Sequence, residues 1–263
     1  MGSGGADGIP ALWASSPVSD HARLNGGKDV RTRASALING ELKIDFGPDT
    51  LAQIQRCRLD PRDWRAILIT HSHDDHLAPR ELQYMFPPFV DSGTPVPPVY
   101  GGSTVIERIQ AELEEGRRPS LYPLETGRTV RVCDYDVTPI SAKHSDSEEC
   151  FNFVIAREKT ILYAVDTGYY EEPTWDALQR WKFDGIVIEC TEGLNPTEYS
   201  GHLAAQDVLD VVGRLRQMGA ASNSTVVCTS HHAHTGRATH GELQAFFEPH
   251  GITVGYDGLE IRL

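Results

Sequence analysis

Thr70-His71-Ser72-His73-Asp74-Asp75-His76 follows directly on the apolar, β-branched run Ala66-Ile-Leu-Ile-Thr70. The run reads as a short buried strand, so four side chains able to bind metal sit within six residues at the end of a rigid element. In an extended turn His71 and His73 are two apart and point the same way. Asp75 and His76 then project from the next turn, where the chain is expected to enter a helix. One His pair can hold one ion and the Asp-His pair a second. Imidazole with carboxylate suits Zn, Mn, Fe or Ni, without the thiolates of a structural zinc site.

Three further strand-like runs end in ligand-type residues. His144 follows residues 138–143, Asp166 follows residues 161–165, and His231 follows residues 225–230. A lone His after a strand is more often a loop or capping residue. Convergence from four separate places in the chain is what a metal site on the edge of packed sheets requires.

The rest of the chain supplies those sheets. Asn39-Gly40 between residues 35–38 and 41–46 is the strongest short hairpin signal. Helices are expected from 47–49 to about Cys57, at 104–115, at 176–181, at 204–218 with an apolar stripe of Val208, Leu209, Val211, Val212 and Leu215, and after the capping box Thr239-His-Gly-Glu242. Strands are expected at 129–140, 151–156, 161–165, 185–190 and 225–230, with two short ones in 251–263. Residues 1–29, rich in Gly, Ser and Pro, read as loop, and residues 87–98, with five prolines, as irregular. Strands in blocks with helices between them argue for packed sheets with outer helices, not one doubly wound sheet. No linker divides compositionally distinct halves, so residues 1–263 are expected to form a single domain.

Composition narrows the classes of function. The net charge is −13, and such a surface repels phosphate backbones, which disfavours a nucleic-acid partner. The five cysteines are dispersed, without a C-x-x-C pair, and read as reduced thiols, with Cys190 and Cys228 buried. No stretch approaches ~18 consecutive apolar residues, and the N-terminus lacks a signal-peptide pattern, so a cytoplasmic protein without a membrane partner is expected. There is no Gly-x-Ser-x-Gly elbow for a serine esterase, and Gly2, Gly4, Gly5 and Gly8 fail the dinucleotide spacing and suit a turn packed near the site.

H-x-H-x-D-H followed by His, Asp and His in this order resembles the signature of the metallo-β-lactamase-fold hydrolases. That resemblance implies an α+β four-layer αββα sandwich with a dinuclear site along one edge. It assigns His71, His73 and His144 to a first metal, Asp75, His76 and His231 to a second, and Asp166 as the bridge. Residues 2–11, 98–101, 137–140, 143–145 and 254–261 are also similar to the phosphoribosyl cyclic phosphodiesterases of the carbon–phosphorus lyase pathway. Members of that family carry a Cys-x-Cys-x-x-Cys zinc loop, whose positions fall here on Ala14, Ser16 and Ser19. His234 is then the remaining ligand of a lost structural zinc, and none is expected. An apolar strand also precedes the Gly-rich start in that family. Here only Met1 does, so a truncated start would leave a sheet edge less covered.

Two divalent ions, Zn or Mn, would lower the pKa of a bridging water, and the hydroxide would attack phosphorus or carbonyl carbon while the ions neutralise growing charge. Asp75 and Asp166 orient that nucleophile, and Asp75 is counted as catalytic. His202, in Ser200-Gly-His-Leu, is the candidate acid for the leaving group; its position resembles a His of the tRNA 3′-processing branch, and a capping or surface role is its bland alternative. His232 and His240 read as supporting or surface groups, and His21 and His250 as surface. The function expected is hydrolysis of a small cyclic or nucleotide-like phosphodiester, with a homodimer as a compatible assembly. The alternatives are a lactone or thioester hydrolase on the same scaffold, a tRNA 3′-processing endonuclease, and a non-catalytic pathway-accessory protein. A di-iron oxygen reductase is disfavoured because that branch has Glu where this chain has His73.

Overall fold

A computed structural model describes residues 1–263. The first sheet holds β1 (Ala36–Ile38), β2 (Leu42–Ile44), β3 (Ala66–Leu68), β4 (Val99–Gly101) and β5 (Leu121–Pro123) in sequence order. The second holds β6 (Val130–Val132), β7 (Tyr135–Ser141), β8 (Phe151–Ala156), β9 (Thr160–Ala164), β10 (Gly185–Glu189), β11 (Val226–Ser230) and β12 (Ile252–Val254), again ordered as in the chain. Strands β9 to β12 run parallel, and β6 to β9 antiparallel. The helices are α1 (Pro17–Asn25), α2 (Thr50–Cys57), α3 (Ser103–Glu112), α4 (Glu172–Leu178), α5 (Ala205–Gln217) and α6 (His240–Phe247).

Three cores separate the layers. Leu42, Ile44 and Leu68 of the first sheet meet Val137, Phe151, Phe153 and Tyr163 of the second. Ile67, whose side chain alternates with that of Leu68, joins Phe46, Trp64, Val99, Val105 and Ile109 beneath α3. On the far side Val154, Leu162, Ile186 and Ile188 carry Trp175, Val208, Val211, Leu215 and Phe247 from α4, α5 and α6. The architecture is therefore helix, sheet, sheet, helix, as expected. Parallel strands buried on both faces explain why 66–69 and 186–188 read as unbroken apolar runs.

Several elements differ from expectation. Residues 1–29 contain α1, capped where the Ser16 hydroxyl accepts from Ser19 N with Pro17 in the first turn; a Ser-Pro pair is a helix start as well as a loop signal. Residues 129–140 form the β6–β7 hairpin, because Cys133 at φ 53° turns the chain back. Only β12 forms in residues 251–263; the following segment turns at Gly258. Strands β4 and β5 were not foreseen, being three residues each beside proline-rich sequence. After His76 the chain enters a 3₁₀ segment, Pro79–Met85.

Candidate metal centre

β3 ends at Leu68, and the chain crosses the sandwich edge between the two sheets as residues 70–76. β7 leads to His144, β9 to Asp166, β10 to the turn after Glu189, and β11 to His231. Parallel strands place these ends together. Asp166 and His231 both take left-handed backbone, φ 56° and 54°, which turns their side chains back over the strand ends.

Two separate donor sets result, with a third that overlaps both. His71, His73 and His144 form one, and Asp75, His76, Asp166 and His231 the other, while His144 and Asp166 also group with His202; the donor atoms of each set lie within 4.8 Å of one another. His73 Nδ1 lies 3.2 Å from His144 Nε2. His76 Nε2 lies 3.0 Å from Asp75 Oδ2 and 2.6 Å from Asp166 Oδ2, and His231 Nε2 lies 3.4 Å from Asp75 Oδ2. Asp166 stands between the sets: its Oδ2 is also 3.5 Å from His71 Nε2, and its Oδ1 is 3.1 Å from His231 Nε2. All seven residues assigned from the sequence converge here.

A divalent ion fits this arrangement. His71 Nε2, His76 Nε2 and Asp166 Oδ1 are buried without a hydrogen-bond partner. Buried polar atoms left so are costly unless something else satisfies them. Burial alone would raise the Asp75 and Asp166 carboxyls, but His76 and His231 outweigh it and hold both well below the carboxylate range. Burial opposes charge on His76, yet Asp75, Asp45 and Asp166 draw its pKa well above the usual histidine value. Desolvation and its imidazole neighbours hold His71 well below that value, and burial lowers His144. Clustered carboxylates and imidazoles are the donor chemistry that divalent metals require, and an ion binding at His76 would displace its proton.

The opposite ring nitrogens are anchored. His71 Nδ1 is 3.0 Å from Thr70 Oγ1, His76 Nδ1 2.8 Å from Asp45 Oδ2, His144 Nδ1 3.1 Å from Gly201 O, and His231 Nδ1 2.9 Å from Thr191 Oγ1. Asp45 also accepts from Thr70 N and Oγ1.

His202 stands at the same edge, its Nδ1 2.8 Å from Glu189 Oε1 and 3.6 Å from Asp166 Oδ1. Its ring stacks at 5.7 Å on that of His231. Burial works against its charge, but Glu189 and Asp166 push its pKa up to about 9. Glu189 is fully buried and also accepts from the backbone N–H groups of Thr167, Thr191 and Leu203, which fixes the loops bearing Asp166 and His202.

The Gly-rich start borders the site. Gly4 bridges both Arg33 and His232, and a Cβ on Gly5 would lie 3.5 Å from His231 Cε1. His234 lies beside this loop, bonded to Ser16 Oγ at 3.0 Å and paired with Asp7 at 2.8 Å. Ser19 Oγ accepts from Ala11 N, so hydrogen bonds tie these positions. His232 and His240 are buried supports rather than surface groups, the first beside Thr229 and the second beside Arg31. His21 and His250 are exposed. Asp45, Glu148 and Glu189 were missed from the sequence; each is a single carboxylate without a local pattern. Cys190 and Cys228 are buried, all five cysteines are free, and no helix is long and apolar enough to cross a membrane.

A family model described as "Beta-lactamase superfamily domain" matches residues 42–229. An uncharacterised protein of Methanocaldococcus jannaschii is 24% identical over 190 residues, 67% of this chain and 66%, just under two thirds, of that protein. Among solved structures, a diphosphatase from the PhnP family superposes with a TM-score of 0.79 at 18% identity, covering 100% of this chain and 95% of that one. Zn(2+)-bound PqqB from Methylobacterium extorquens gives 0.75 at 18% identity, covering 100% and 98%. The short form of human tRNase Z gives 0.67 at 16% identity, covering 99% and 96%.

Proposed function

The chain belongs to the beta-lactamase superfamily, and from that premise we propose that it hydrolyses a small cyclic or nucleotide-like phosphodiester. It is a metal-dependent hydrolase of the metallo-β-lactamase fold. The finer reading is two divalent ions, zinc or manganese, with His71, His73 and His144 holding one, Asp75, His76 and His231 the other, and Asp166 shared. Ions so held would polarise a phosphoryl oxygen and make water a competent nucleophile near neutral pH.

The observation that carries the phosphodiester reading is the Glu189–His202 pair set against Asp166. Glu189 accepts a hydrogen bond from His202 Nδ1–H, which leaves Nε2–H as the proton to give. A charged imidazole at the mouth attracts an anionic substrate and protonates the alkoxide that leaves when the P–O bond breaks. Asp75 and Asp166 remain ionised and hold an incoming water by its hydrogens. The names of two similar structures, a diphosphatase and a tRNase, support phosphoryl-transfer chemistry on this fold.

The test couples metal analysis to a substrate panel. Protein loaded with zinc or manganese is expected to turn over bis-p-nitrophenyl phosphate and cyclic ribose phosphates faster than lactones. His202→Ala is expected to lower kcat by about 10²–10⁴-fold with metal content retained, the usual worth of a general acid. Loaded protein inactive on every phosphodiester would sink the proposal, and turnover of lactones instead would assign it to carbonyl hydrolysis.

A further inference from the structure

The five imidazoles of the metal centre share a rule with one exception. Four of them turn Nε2 inward and anchor Nδ1 on a hydroxyl, carboxylate or carbonyl. His73 is reversed: its Nδ1 faces His144, and its Nε2 makes no hydrogen bond, with the Glu148 carboxylate 3.9 Å away. It is also the open one, 43% exposed at its side chain where His71 and His76 are sealed.

Glu148 is built for that neighbour. Its side chain is only 5% exposed. One oxygen accepts from Ser72 N at 2.9 Å and the other from Ser72 Oγ at 2.8 Å, so the carboxylate is clamped beside the residue that separates His71 from His73. Arg108 of α3 grips the same loop from the other side, through Ser72 O and Asp74. At 3.9 Å the two groups are within ion-pair range but not hydrogen-bonded, and because the carboxylate is buried and fixed, the exposed ring is the part that would have to turn to close the gap.

We propose that Glu148 is the positioning residue of His73: it accepts the Nε2 proton and thereby presents the Nδ1 lone pair to the first donor set. Carboxylate support of a metal-bound histidine fixes its tautomer and raises its basicity, and losing such support costs 10–100-fold in metal affinity. The inference rests on the two-ion reading above. It adds that the first ion's affinity is set by a residue outside the ligand motif, since the second set is buried and has Asp45 in the corresponding role.

The experiment is competitive titration of metal-free protein with zinc against a chelating dye. Wild type is expected to take two equivalents. Glu148→Gln is expected to keep one at unchanged affinity and to bind the other 10–100-fold more weakly. Ser72→Ala, which removes one loop bond but not the carboxylate, is expected to stay within about threefold of wild type, against at least the tenfold loss above. Nitrogen-15 shifts of His73 in metal-free wild type are expected to report the Nε2–H tautomer, a readout that needs no variant. Glu148→Gln binding like wild type, equal losses in both variants, or an Nδ1–H tautomer would each overturn the inference. A wild type that binds fewer than two equivalents would overturn instead the two-ion reading beneath it.

Discussion

Asp45 and Lys43, two residues apart on and beyond β2, show how much a single buried charge controls. Asp45 gives one oxygen to His76 and the other to Thr70, with none of its side chain exposed. Asp45→Ala frees the His76 ring and leaves buried donors unpaired. It is expected to weaken binding at the Asp75/His76/His231 set by 10–100-fold, read by metal titration. Lys43 is fully buried, its ammonium donating to the carbonyls of Ile44 and Asp45. Desolvation drops its pKa from 10.5 to about 7, against the pull of Asp45. Between those two values the unfolded chain holds the proton and the folded one does not, so stability is lost as pH falls from about 10.5 to 7. Lys43→Met is expected to flatten the dependence of the urea midpoint on pH between 7 and 9; an unchanged slope would count against this account.

Turns and caps decide where elements begin and what they carry. Asn39 and Gly40, at φ 51° and 76°, take left-handed backbone in the three-residue turn between the paired Ile38 and Leu42. Thr239 caps α6 with a reciprocal bond to Glu242, and Thr239→Ala is expected to cost about 1 kcal/mol in denaturant unfolding while leaving metal content alone. The loops around the site are tighter. A Cβ on Gly168 would lie 1.7 Å from Ser200 O, so the turn after Asp166 and the turn before His202 touch backbone to backbone. Gly168→Ala must push them apart and is expected to lower kcat by at least tenfold with metal content unchanged. Loss of metal along with activity would place the damage at Asp166 instead.

At the scale of the whole molecule the centre is an inter-sheet device. The first sheet delivers residues 71–76 and the second delivers His144, Asp166 and His231 to one edge. Ions held there would join the two halves of the sandwich and favour the folded state, because the unfolded chain has no such preformed cluster. Removing them with a chelator is expected to lower Tm, and restoring metal at 100–1,000 times Kd to return about 3–4 kcal/mol of stability. A Tm indifferent to chelator would show that the packing of the three cores already carries the edge. The terminal segments close the same edge from behind: Asp257 accepts from Ser3, Thr32 and Arg56, tying the Gly-rich start to the end of the chain.

The amino-acid sequence alone determined which donor side chains would cluster, and the sandwich, because both are written in local patterns. Four donors crowd into six residues after an apolar strand, three more follow strands of their own, and apolar runs and amphipathic stripes mark which faces are buried. The tertiary structure decided what surrounds those ligands. Glu148 lies 76 positions from Ser72, Asp45 31 from His76, and Glu189 13 from His202. No spacing announces such pairs, since their partners become neighbours only when strands from two sheets end at one edge. It also decided which ring nitrogen each histidine turns inward, for that choice depends on the acceptor waiting on the other side.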